Sequence, residues 1–342
     1  MTTATSPFDA LVLAAHAAGA SDLHLVPGER PRQRLASGLV PVGEVLDAAA
    51  LEAMASDFFG EQRVARQARE GSVQRPFQLG EARGVATLAS TRGQHSIAVR
   101  FQRGPAALSL EVVRAPDVVR EWLGASHGLI VVAGPHGSGK TTTLYAMTEW
   151  LIEHRELHLC TVEDPLAYEL RSKRALVQQR EVGVDVPSAA AGIEAAMGQD
   201  LDALVVTALP DLEALGAALH AAATGHLVLL QVHASSAADA LERMIEATPE
   251  SMQAHVRRGL AETLIGVLWQ RLVPKAAGGR VAAYEVLTPG EGLRAALLSG
   301  GRLDALPRAE GSRALRDDLD ALERAGTISP EAAAEVRAGM RG

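Results

Sequence analysis

Gly134-Pro135-His136-Gly137-Ser138-Gly139-Lys140-Thr141, followed by Thr142, fills every fixed position of the pattern G-x-x-x-x-G-K-[ST]. Glycines at those places let successive backbone N–H groups turn toward phosphate oxygens, and the start of the helix that follows adds a partial positive charge. Lys140 then reaches the β- and γ-phosphates of ATP, and the Thr141 hydroxyl is placed to ligate Mg²⁺. The flanks suit this reading better than a bare glycine-rich turn. Apolar Leu129 to Ala133 supplies a strand before the loop, and Thr141 to Leu151 supplies a helix after it.

Working outward, short apolar runs rich in β-branched residues recur at Leu157 to Val162, Leu204 to Val206 and Leu227 to Val232, separated by helical segments. That alternation predicts an α/β domain on a largely parallel sheet. Upstream the pattern is mixed. Phe8 to Ala18 and Asp47 to Phe59 have helical apolar spacing, Ser21 to Val26 alternates like a half-buried strand, and Val85 to Leu88 and His95 to Phe101 read as strands joined by a Ser90-Thr91-Arg92-Gly93 turn. Gly104-Pro105 breaks the pattern, and a short helix over Asp117 to Leu123 precedes a change of character near Ser126. The expected division is a small α+β domain over 1–103, a linker over 104–125, and the nucleotide domain over 126–342. The latter closes in helices over Ala314 to Arg324 and from Ser329-Pro330 to Val336.

Composition narrows the functional classes. A chain of 342 residues with 47% hydrophobic residues has room for two cores. Cys160 is the only cysteine, so neither an internal disulfide nor a cysteine-bound zinc is expected. A formal charge of -8 and 3% aromatic residues oppose sequence-independent binding of nucleic acid, which needs cations to displace counterions and rings to stack on bases. Met1 to Ala20 lacks a basic leader and carries Asp9 and His16, a poor secretory signal, and no run approaches the ~20 apolar residues of a membrane span.

Several other stretches resemble the secretion and pilus ATPase family, most closely its twitching-motility retraction motors. They are Ala20-Ser21-Asp22-Leu23-His24, the phosphate loop, Thr161-Val162-Glu163-Asp164-Pro165, the run Thr224 to Leu229 leading to His233, and Gln270-Arg271-Leu272, in the family's order. The resemblance implies a RecA-like P-loop ATPase domain behind a smaller N-terminal α+β, PAS-like domain. It also implies a hexamer, built from one chain or with paralogous subunits, cytoplasmic and peripheral at the inner membrane against a pilus platform protein. The missing cysteine cluster separates the chain from the larger secretion-assembly ATPases.

The same resemblance assigns catalytic roles. Glu163 and Asp164, carboxylates at a strand end, would hold Mg²⁺ through water or orient the attacking water; the Asp-Pro pair also reads as a plain turn opener. His226 and His233 match a histidine pair. Seven residues apart, they face opposite sides of a regular strand, and the C-terminal position selects His233 for the nucleotide, while His226 reads as well as a structural histidine. Arg92 and Arg100, or Arg103 in place of one of them, match N-terminal arginines that reach a neighbouring subunit's nucleotide.

One segment departs from the family. Where its hydrolytic strand ends in Gly-Glu, with an arginine two residues on, this chain has Thr207, Ala208 and Pro210. The resemblance names that glutamate as the group that polarises the attacking water. A methyl group can neither accept a proton nor orient water, and losing a positioned base commonly costs ~10²- to 10⁴-fold in rate. The expectation is therefore ATP binding with impaired hydrolysis in a pilus retraction motor, or a non-catalytic accessory subunit of a mixed ring.

Overall fold

A computed structural model describes residues 6–35, 37–101, 108–207, 212–303 and 309–338. The chain forms two compact units. The first comprises Met1–Ala106 with Asp164–Glu169 and Glu181–Asp185, and the second the remainder from Ala107.

In the first unit the order is α1 (Pro7–Ala17), β1 (Asp22–Leu25), β2 (Arg32–Leu35), β3 (Gly38–Pro41), α2 (Ala48–Phe59), α3 (Glu61–Glu70), β4 (Ser72–Leu79), β5 (Ala82–Thr91) and β6 (Gln94–Phe101). The sheet is antiparallel, in the order β3-β2-β1-β6-β5-β4. Strand alternation sends Leu23, Leu25, Ala86, Leu88, Ile97 and Val99 to one face, where Phe8 and Val12 of α1 and Leu51, Ala55 and Phe59 of α2 close the core. Local caps start both helices: Ser6 Oγ accepts from the Asp9 N–H at 3.1 Å and Asp47 Oδ1 from the Ala50 N–H at 2.7 Å. Between β5 and β6 the turn shrinks to Arg92-Gly93, both at positive φ, the conformation a two-residue hairpin demands.

The second unit runs α4 (Val118–Leu123), β7 (Gly128–Gly134), α5 (Lys140–His154), β8 (His158–Glu163), β9 (Leu176–Glu181), α6 (Ala189–Met197), β10 (Ala203–Val206), α7 (Leu212–Ala223) and β11 (Leu227–His233). It continues with α8 (Ala237–Glu246), α9 (Glu250–Thr263), β12 (Leu264–Pro274), β13 (Arg280–Leu287), α10 (Glu291–Ser299), α11 (Leu315–Arg324) and α12 (Pro330–Ala338). The sheet order is β13-β12-β7-β11-β10-β8-β9, with β12, β7, β11, β10 and β8 parallel and β13 antiparallel. All seven residues of β7 are buried, as a central parallel strand covered on both faces requires. Because this unit begins at Ala107, the stretch read as linker contains α4, whose Val119, Trp122 and Leu123 are buried. No helix among the described residues is long and apolar enough to cross a membrane.

The parallel strands deliver their C-terminal ends to one edge. There the register sets Gly134 of β7 beside His233 of β11, and the Thr207 N–H after β10 donates to the Val162 carbonyl of β8 at 3.2 Å. Open parallel sheets bind ligands at this edge.

Candidate nucleotide-binding site

The phosphate loop connects β7 to α5, and its glycines are there for steric reasons. Gly134 has φ 151°, and a Cβ on it would lie 2.4 Å from the Gln270 carbonyl oxygen and 2.7 Å from Ser138 Oγ. Gly137 and Gly139 have φ of 71° and 85°, left-handed values that L side chains rarely adopt. From β12, Gln270 Nε2 donates to the Ser138 carbonyl at 2.7 Å and pins the loop. α5 starts at Lys140 with no side chain capping it. Its N-terminal N–H groups are thus offered toward the loop rather than to a cap.

Lys140 is 4% exposed. Its ammonium donates to the Pro135 carbonyl at 2.7 Å and lies 3.2 Å from His233 Nδ1. Burial pushes its pKa down to about 8. The His136 ring stacks against that of His233 with centroids 6.0 Å apart. Burial, followed by the charges of Lys140, His136 and Arg243, holds the His233 pKa below its ordinary value. Ser138 Oγ is buried without a hydrogen-bond partner. A buried cation with no carboxylate partner among the described residues, inside a cradle of positive-φ glycines, fits a polyphosphate.

Thr141 Oγ1 donates to Gln231 Oε1 at 2.9 Å. Having given its hydrogen to Gln231, the hydroxyl oxygen keeps lone pairs for a hard cation, so Thr141 fits Mg²⁺ held jointly with phosphate oxygens. Among the described residues no group of three or more His, Cys, Asp or Glu forms a metal cage of its own. Thr142 lies half-buried in the first turn of α5, beside Thr141.

The carboxylates expected to be catalytic are differently placed. Glu163 ends β8 and is 1% exposed; Tyr145 Oη of α5, Thr161 Oγ1 at 2.6 Å and Gln179 Nε2 at 3.1 Å all donate to it. Asp164 groups with the first unit, where Arg66 Nη2 lies 3.4 Å from its Oδ1. Arg92 is exposed at the β5–β6 turn. Arg100, opposite Asp22 on β6, is 82% exposed with its Nε 3.0 Å from Asp22 Oδ1. Both arginines belong to the first unit. His226 precedes β11 and its Nδ1 contacts the Ala221 carbonyl at 3.0 Å, whereas His233, at the far end of that strand, meets Lys140. Arg103, Ala208 and Pro210 lie outside the described residues.

Sequence reasoning missed Gln231, Tyr145 and the role of Gln270. Gln231 carried a usable signal, because it is two residues before His233 and so shares its strand face. Gln270 stood in a stretch quoted for its likeness alone.

A family model described as Type II/IV secretion system protein matches residues 7–282. The chain is 34% identical over 276 residues to the type IV pilus retractation ATPase PilT of Pseudomonas aeruginosa, covering 79% of this chain and 78% of that protein. It is 35% identical over 247 residues to a twitching motility protein of Neisseria gonorrhoeae, covering 68% and 66%. Against the Escherichia coli protein YggR, named as uncharacterized, identity is 41% over 217 residues, covering 63% and 66%. The chain thus spans just under two-thirds of the latter two proteins. A crystal structure of the pilus retraction motor PilT with bound ADP matches with a TM-score of 0.81 at 32% identity over 95% of both chains. The Legionella pneumophila ATPase DotB, at 23% identity and a TM-score of 0.84, shares the fold.

Proposed function

The chain belongs to the type II/IV secretion system protein family, and from that premise we propose that it binds Mg²⁺-ATP in the loop Gly134 to Thr142 as a ring-motor subunit of the pilus retraction type, with slowed hydrolysis. The observation that carries this reading is Lys140, buried and without an anionic partner among the described residues, at the mouth of the glycine cradle. The PilT relative solved with ADP supports it.

On this reading Lys140 exchanges its contacts with Pro135 and His233 for phosphate oxygens. Backbone N–H groups of the loop take the remaining oxygens, and His233 stays beside the terminal phosphate to orient it. Mg²⁺, held by Thr141 and the phosphates, would neutralise charge on the phosphate oxygens. Ala208 offers no group for the attacking water, so residual turnover falls to Glu163 on β8, the strand bonded to β10. Arg92 and Arg100 are assigned to a neighbouring subunit's nucleotide in a hexamer that docks on a platform protein at the inner membrane.

The three side chains donating to Glu163 favour a second reading. A carboxylate so engaged orients water poorly, and the chain would then serve as a nucleotide-binding subunit beside an active paralogue. Phosphate release by the purified chain, alongside Lys140→Ala and Ala208→Glu, separates the two. Slow release that requires Lys140 and rises at least about tenfold in Ala208→Glu supports the motor. Release no faster than in Lys140→Ala, with tight ATP binding, supports the accessory subunit. Fast release unaffected by Ala208→Glu overturns the assignment of Ala208.

A further inference from the structure

β11 is apolar and buried from Leu227 through Leu230, then presents Gln231 and His233 on one face. Its neighbour β7 carries the phosphate loop, with Gln231 opposite Val132 and His233 opposite Gly134. The two polar residues therefore meet two consecutive members of the loop motif. His233 contacts Lys140 at 3.2 Å, and Gln231 Oε1 accepts from Thr141 Oγ1 at 2.9 Å. An amide drawn partly out of water on a largely apolar strand is costly unless it is paired, and Thr141 is its partner among the described residues.

We propose that Gln231 is the positioning residue for the nucleotide's divalent cation, acting through Thr141. By accepting the hydroxyl hydrogen it fixes the direction of the Thr141 lone pairs, which is the property a hard cation requires of a neutral oxygen. Left to rotate, the hydroxyl would spend part of its time presenting hydrogen to the cation. Gln231 is a neutral acceptor where an ionised carboxylate would hold the hydrogen more strongly and add charge. This inference rests on nucleotide binding at the loop.

The test measures ADP binding by calorimetry, with Mg²⁺ and with EDTA, for the unmodified chain, Gln231→Leu and Gln231→Glu. Gln231→Leu keeps size but removes the acceptor, so its Mg²⁺-dependent gain in affinity falls about 5- to 10-fold while the EDTA affinity stays within about twofold. Gln231→Glu restores the gain or exceeds it. The proposal is overturned if Gln231→Leu keeps the full gain, if it loses affinity equally under both conditions, or if Gln231→Glu fails to recover what Gln231→Leu lost. The absence of ADP binding by the unmodified chain overturns the nucleotide reading as well, and is distinguished by affecting all three proteins.

Discussion

The ammonium of Lys140 lies 3.2 Å from Nδ1 of His233, with the Pro135 carbonyl as its other partner. For the ammonium to donate to that nitrogen, Nδ1 must be unprotonated. His233 is held below its ordinary pKa, first by burial and then by the Lys140 charge, which favours the neutral ring, and the ammonium donor beside Nδ1 selects the tautomer with its proton on Nε2. The pair is therefore a cation resting against a neutral ring, ready to exchange it for a phosphate.

Because burial lowers the Lys140 pKa to about 8, the free protein loses this charge as pH rises through that value, while bound phosphate favours the protonated form. Nucleotide affinity is highest below about pH 8 and falls about tenfold between pH 7 and pH 9. ADP dissociation constants measured across that range check the sign and size. A flat profile would mean that Lys140 keeps its proton throughout.

Tyr145 anchors the carboxylate at the end of β8 from the helix that follows the phosphate loop. Tyr145→Phe removes a hydrogen bond to a buried carboxyl group and should cost about 1–3 kcal/mol, read as a lower urea midpoint. An unchanged midpoint would show that Glu163 is held without it.

Gly266 of β12 packs against Trp122, and a Cβ there would lie 2.3 Å from Trp122 Cζ2. Gly266→Ala overpacks this contact at a cost of about 1–3 kcal/mol, and Trp122→Leu in the same chain should relieve part of it. Chemical denaturation of the two single variants and the double variant gives the coupling. Strict additivity would place the strain elsewhere.

The phosphate loop was legible because its requirements are local: fixed residue types at fixed spacing between a strand and a helix. The parallel sheet was legible for a similar reason, since strands buried on both faces leave continuous apolar runs. α3 was not, because it starts at Gly60 without a side-chain cap and buries only Gln67. β4 contains Pro76, which argues against a strand in general but is tolerated at a sheet edge, where the order places it. α4 was legible as a short helix over Asp117 to Leu123, but its burial was not, because it depends on residues distant in sequence, such as Gly266 against Trp122. The pairs that refine the site, Thr141 with Gln231 and Ser138 with Gln270, join residues 90 and 132 positions apart. No local pattern encodes such contacts.

The most direct test of nucleotide binding at the loop is equilibrium titration of the purified chain and of Lys140→Ala with Mg²⁺-ATP at pH 7. The account predicts saturable binding by the unmodified chain and at least a hundredfold loss in Lys140→Ala, about 2.7 kcal/mol or more. Equal affinity in the two proteins, or no binding by either, would contradict it.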